Sequence, residues 1–189
     1  MLAFLGAAMP VAWAARAAAD PQASATFDVG VAATGSRGDV SDRGELFLGL
    51  RGDVILGRQG PRDFGAGPFR AVGSFAVDSI ELGGGAAALL PVHETFPLVA
   101  SVGAAVRADG ELGVEPAVLA KVFWGTRSYN FHGAYGMSAG VSCGFHQTLG
   151  ASKTSALLVA AELDLAVMAL PIVALVNLVR GPTAEAAAP

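Results

Sequence analysis

From residue 27 onward, apolar side chains alternate with small, polar or charged ones at a period of two, which is the period of a β-strand with two different faces. Residues 45–56 give the clearest example. Leu46, Leu48 and Leu50 fall on one face, and Glu45 and Arg51 fall on the other. A helix would scatter these two sets around its circumference, so the segment is predicted to be a strand.

The same alternation recurs in seven further segments: residues 27–32, 69–78, 80–90, 98–107, 115–127, 135–146 and 157–167. Turns rich in Gly, Ser and Asp separate them at short, even spacing, as in an up-and-down meander. Eight strands are enough to close a small barrel whose interior is filled by side chains. We therefore predict an all-β fold, an eight-stranded antiparallel up-and-down meander β-barrel.

The two ends of the chain depart from this pattern. Residues 2–15 are apolar or small and precede an Ala-x-Ala sequence, which predicts a signal peptide over residues 1–19 and a barrel domain over residues 20–189. A short buried or interfacial helix is the alternative, because no basic residue precedes Arg16. After the last strand an apolar run continues to residue 179. Pro171 there predicts a short C-terminal helix over residues 171–179, since Pro favours the first helical position.

Composition narrows the class of protein. The chain is 53% hydrophobic and only 15% charged, whereas a typical soluble domain carries about 25% charged residues. The net charge of −4 gives no electrostatic reason to expect nucleic acid as a partner. The single cysteine, Cys143, cannot form an internal disulfide.

Whether the apolar face points into the barrel or out of it distinguishes a soluble protein from a membrane protein. A soluble barrel turns that face inward, whereas a membrane barrel turns it outward to lipid and encloses the polar face. The polar face here is rich in Gly and Ser with single charges of both signs, which suits a crowded interior better than a surface in water. The residues predicted to form a charge network in the lumen are Asp28, Glu45, Arg51, Asp53, Arg70, Arg107, Glu115, Lys121, Glu162 and Asp164. The residues predicted to face lipid are Leu46, Leu48, Leu50, Val54, Tyr135, Met137, Val141, Phe145, Leu163 and Leu165.

With this architecture the chain resembles the small eight-stranded bacterial outer-membrane β-barrel proteins. The resemblance covers nearly all of the mature chain and rests on architecture rather than on a signature motif. It implies export to the cell outer membrane, contact with membrane lipid, and a role in envelope integrity, adhesion, small-molecule passage or lipid modification. A structural or passive envelope role is our expectation. The alternative is a soluble periplasmic or secreted β-barrel that binds a small apolar ligand in its interior.

Candidate chemistry is sparse, so we predict no enzyme, cofactor or metal site, and the sequence indicates no particular protein partner. Ser142 and His146 share a face, but four strand residues separate them by roughly 13 Å, too far for a nucleophile and its base. His93 and Glu94 supply too few ligands for a metal. Gly83 to Gly85 lack the Lys and the following helix of a phosphate loop. A lipid-modifying barrel enzyme is therefore a third, weaker hypothesis.

Overall fold

The computed structural model describes residues 21–36, 43–75, 79–110, 113–127 and 137–180. Its elements are β1 (Gln22–Ser36), β2 (Arg43–Ile55), β3 (Gly65–Phe75), β4 (Ser79–Leu90), β5 (Leu98–Asp109), β6 (Gly113–Thr126), β7 (Ala139–Thr148), β8 (Thr154–Asp164) and helix α1 (Leu165–Arg180). The predicted signal peptide and Tyr135 lie outside the described residues.

The strands form one closed antiparallel barrel in sequence order, which confirms the predicted fold class. Each strand pairs with its neighbours in the chain, and β1 closes the ring by pairing with β8, with Val29 opposite Ala161. Closure leaves no unpaired edge strand within the barrel. The strands have 10 to 15 residues, enough for a tilted strand to cross a bilayer.

Burial alternates along most of each strand, because successive side chains point to opposite sides of the wall, and the alternation is interrupted in the glycine-rich middle of β4. In β6, for example, Leu119, Lys121 and Phe123 are buried, whereas Val118 and Val122 are exposed. The interior therefore holds both charged groups and apolar clusters. One apolar cluster includes Phe69, Leu119 and Phe123, and a second includes Phe47, Phe75 and Leu158.

The C-terminal helix is confirmed, but its predicted start at Pro171 is wrong. The last strand ends at Asp164, and α1 begins at Leu165, so Pro171 lies inside the helix. Asp164 caps the helix: its Oδ1 accepts a hydrogen bond from the backbone N–H of Ala166 at 3.0 Å. An Asp before an apolar run is a helix-start signal, and it takes precedence here over the strand alternation that the sequence continues to residue 167.

Helix α1 has little cover from the barrel. Its main contacts are with the strands β1 and β8. Leu170, Ile172 and Leu175 are between 50% and 64% exposed. Within the described residues, no helix combines the length and the apolar character needed to cross a membrane.

Candidate functional site

The centre of the barrel interior is occupied by Lys121. Its Nζ lies 2.8 Å from Asp28 Oδ1 and 2.8 Å from Glu162 Oε2. Thr26 donates a further hydrogen bond to Glu162 Oε1 at 3.0 Å. All these side chains are buried, so the lysine neutralises two carboxylates that would otherwise be costly to enclose.

Arg51 and Arg127 extend this cluster toward the end of the barrel where the chain enters and α1 leaves. Arg127 Nη2 lies 2.8 Å from Glu162 Oε1, and its Nη1 lies 3.8 Å from Asp53 Oδ2. Arg51 Nε donates to Asp53 Oδ2 at 3.0 Å. We call Asp28, Arg51, Asp53, Lys121, Arg127 and Glu162 the lumen cluster.

The lumen cluster crosses the interior rather than running along the wall. Lys121 on β6 contacts Asp28 on β1, and Arg51 on β2 donates to Ser101 on β5 at 3.0 Å; in neither pair are the two strands neighbours in the sheet. Three cations therefore balance three anions across the lumen. Aromatic rings line the cations: the guanidinium carbon of Arg127 is 3.9 Å from the centroid of Phe123, a distance typical of a cation–π contact.

A second polar group lies toward the opposite end. His146 Nδ1 is 2.6 Å from Glu81 Oε1, and the imidazole packs edge-on against Phe75 with 5.4 Å between ring centroids. Arg107 donates to the hydroxyl of Ser79 at 2.9 Å, and both residues are buried. These contacts fill the interior at that level.

The predicted lumen residues are placed as follows. Those buried in the interior are Asp28, Arg51, Asp53, Arg107, Lys121, Glu162 and Asp164. Glu45 and Glu115 are half-buried: Glu45 accepts a hydrogen bond from Thr34 at 2.9 Å, and Glu115 accepts one from the backbone N–H of Ser152 at 3.0 Å.

The placement of Arg70 in the lumen is wrong, because Arg70 lies on the exposed outer face of β3. Its neighbour Phe69 points inward instead and receives the guanidinium of Arg51, 4.5 Å from the ring centroid. Since adjacent strand residues point to opposite sides, an inward Phe69 forces Arg70 outward.

Three buried interior residues, Glu81, Arg127 and Arg58, were not predicted. Arg127 has the same strand parity as Lys121, so parity alone could have found it. Glu81 stands at the start of a glycine- and alanine-rich segment with weak alternation. Arg58 lies in the β2–β3 connection, where it donates to the carbonyls of Asp63 and Pro61 at 3.0 Å each. No strand pattern could reveal it there.

The outward-facing side chains of the eight strands form what we call the outer wall. Apart from Arg70 on β3, it is largely apolar, with examples such as Val31, Leu82, Val102 and Val159 between 54% and 63% exposed. Of the residues predicted to face lipid, those exposed are Leu46, Leu48, Leu50, Met137, Val141, Phe145 and Leu165. Val54 and Leu163 are half-buried. Met137 precedes β7 and Leu165 begins α1, so neither lies in a strand as predicted.

A small cavity lies in the part of the interior that the structure describes. A cavity lined by Asp28, Arg51, Glu81 and Lys121 has a volume of about 30 Å³, which suits one or two water molecules. Drug-sized ligands occupy pockets of roughly 300 to 1,000 Å³. Within the described residues, no group of three or more His, Cys, Asp or Glu side chains is arranged to hold a metal ion.

The buried serine and histidine of β7 have separate partners. Ser142 donates to the carbonyl of Ala160 at 3.5 Å, whereas His146 pairs with Glu81. The hydroxyl and the imidazole therefore do not form a nucleophile–base pair, because such a pair needs direct hydrogen-bond contact.

Pairing and burial together define the class: a closed eight-stranded β-barrel with charged side chains in its interior and a largely apolar outer wall. No protein-family model matches the chain, and no curated protein matches its sequence.

Solved structures similar to the chain include Ail, the attachment invasion locus protein of Yersinia pestis, with a TM-score of 0.45 and 10% identity, covering 75% of this chain and 95% of Ail. Ail in complex with the heparin analogue sucrose octasulfate gives a TM-score of 0.44 and 9% identity, covering 77% and 98%. Ail in a phospholipid bilayer nanodisc gives a TM-score of 0.38 and 11% identity, covering 76% and 99%. These scores are low, so the class rests on the strand pairing and burial of this chain.

Proposed function

We propose that this protein is an integral β-barrel of the bacterial outer membrane with a structural or passive envelope role. The observation that supports it most strongly is the inversion of polarity across the wall. Leu48 and Val159 face outward and are 47% and 54% exposed, whereas Lys121 and Glu162 are enclosed. Exposing a continuous apolar belt to water would be unfavourable at about 25 cal/mol per Å², and in a bilayer the same belt contacts acyl chains.

A cluster of aromatic side chains at one end of the barrel is consistent with an outer wall that faces lipid. Phe64, Phe96 and Trp124 are 40% to 55% exposed and lie where β3 begins, before β5 and near the end of β6. Aromatic side chains are typical of the boundary between hydrocarbon and headgroups in membrane barrels. This group would mark one membrane interface.

The contacts between charged side chains in the lumen support a passive role. Salt bridges from Lys121 and Arg127 reach strands across the interior, and eight strands leave space only for side chains. A water-filled diffusion channel would have to displace this balanced cluster. We therefore expect purified protein in vesicles to leave the permeability to small sugars close to that of protein-free vesicles.

The soluble, ligand-binding barrel is disfavoured by the same interior. A small-molecule site needs a volume of roughly 300 Å³ or more, whereas the cavity bordered by Asp28, Phe69 and Lys121 holds about 30 Å³. The lipid-modifying enzyme has no support from the Ser142 and His146 contacts.

Fractionation of cell envelopes tests the proposal. Because the outer wall would be held by hydrocarbon, the protein should stay with membranes after a carbonate wash, float with added vesicles, and sediment with the outer-membrane fraction. A protein that moves to the aqueous phase after the wash would contradict membrane integration, and one that sediments with the inner membrane would contradict the location.

A further inference from the structure

Arg70 is a charged residue on an outer wall that is otherwise largely apolar. Among the described strand residues, it is the one charged side chain at an outward-facing position of the outer wall. It makes no hydrogen bond or ion pair within the part of the chain that the structure describes. An ionisable group on a membrane-facing surface is costly unless it is partnered, and such groups usually mark a functional contact.

The position of Arg70 along its strand makes the free-energy cost of placing its charge in hydrocarbon large. It stands five residues from Gly65 and five from Phe75, the two ends of β3. At roughly 3.3 Å per residue and a tilt of about 40°, this places it about 12 Å from either end, near mid-height of an apolar band about 25 Å tall. Its side chain alone cannot remove the charge from the hydrocarbon region, so the surroundings must adapt.

The wall around Arg70 forms a trench. Small residues lie level with it on both sides, because the strand register places Gly52 and Gly84 directly opposite Arg70. The methylenes of Arg70 lie over Gly84, where a Cβ would be 3.3 Å from Arg70 Cδ. The trench has a volume of about 900 Å³, is bordered by Leu50 and Val72, and reaches Leu165 at the start of α1.

We propose, on the basis of the proposed membrane location, that this trench binds an anionic membrane lipid. Its phosphate pairs with the Arg70 guanidinium, and an acyl chain lies along the small residues. The trench leads toward the barrel end at which α1 begins, so a headgroup from that leaflet has a path to the arginine. Lipid headgroups drawn toward a buried arginine, with local thinning of the bilayer, are a known response to such a charge.

A second copy of the chain is a poorer partner for Arg70. The outer wall has no carboxylate among the described residues, so a facing copy could not supply the negative charge. A symmetric contact would bring two Arg70 side chains together, which is repulsive. A lipid phosphate supplies the charge and the bidentate geometry that arginine favours.

The test uses the full-length barrel in phosphatidylcholine vesicles that contain a small fraction of spin-labelled phosphatidylglycerol or, in parallel, spin-labelled phosphatidylcholine. We expect the wild type to immobilise the anionic lipid preferentially, and Arg70→Leu to lower that preference about tenfold, the range of a charge-assisted contact. Arg70→Lys should keep part of the preference. Val72→Ala is the matched control, because it alters the same trench and leaves the charge in place.

Each outcome has a distinct meaning. Equal preference in wild type and Arg70→Leu would overturn the lipid site. Failure of the wild type to float with the vesicles would instead contradict the membrane proposal itself. Arg70→Leu adds an apolar residue to an apolar wall, so we expect it to fold and insert normally.

Discussion

Arg127 and Glu162 form an ion pair with no exposed surface on either side chain, with Nη2 of the arginine 2.8 Å from Oε1 of the glutamate. Arg127 follows β6 and Glu162 lies on β8, so the pair joins strands on either side of β7. Glu162 also contacts Lys121. One carboxylate therefore contacts two cations that are shielded from water.

Replacing Glu162 with Gln should destabilise the barrel strongly. The substitution keeps the size and removes the carboxylate charge that lies 2.8 Å from Arg127, so we expect the free energy of unfolding to fall by about 3 to 5 kcal/mol. Urea unfolding of the detergent-refolded protein measures this. Glu94→Gln is the control, because Glu94 pairs with Arg62 on an exposed loop and should change stability by less than about 1 kcal/mol. Equal effects of the two substitutions would show that the buried pair has no special weight.

Lys121 offers a test of charge balance within the lumen cluster. Lys121→Met should lower the free energy of unfolding by about 3 kcal/mol, since it leaves Asp28 and Glu162 facing each other with reduced compensation. Adding Asp28→Asn should recover part of this loss, because one cation and one anion then remain at that level. A double-mutant cycle by denaturant unfolding measures the coupling. Additive losses would contradict a balanced cluster.

A charged side chain introduced at mid-height of the outer wall should destabilise the barrel in a bilayer. Val159 lies in the middle of β8 and faces outward, so Val159→Arg should lower the free energy of unfolding in vesicles by about 2 to 4 kcal/mol. Leu149 is also exposed but lies in the β7–β8 turn, and Leu149→Arg should be nearly neutral. A soluble barrel would tolerate both substitutions, so comparable folding yields in vesicles would count against a lipid-facing wall.

Much of the fold is predictable from the sequence because one rule governs it. In a closed meander barrel each strand has one face inside and one outside, so a period of two reports both the strands and their faces. Thus Leu46 and Leu48 in β2 and Val141 and Phe145 in β7 are exposed as the alternation predicts. The end of β8 was less predictable, since apolar residues continue into α1 and only Asp164 marks the change.

The interior is harder to predict than the wall. Arg70 was assigned inward because it is charged, yet the inward position belongs to Phe69, whose ring contacts Arg51. Charge is thus a poorer guide than parity, because an aromatic ring can fill a lumen and pack against its cations. The pairing of Glu81 with His146 joins β4 to β7 across the barrel, and no local pattern in the sequence contains that contact.

The outer wall carries a native probe, since the chain has one cysteine, Cys143, and it is exposed on β7 opposite Val122 and Val159. A small fluorophore attached to Cys143 in vesicle-reconstituted protein can be quenched by nitroxides on lipid acyl chains or by iodide in water. We predict strong quenching by the acyl-chain nitroxides and little by iodide. Strong quenching by iodide, with none from the acyl-chain nitroxides, would contradict contact between the outer wall and hydrocarbon.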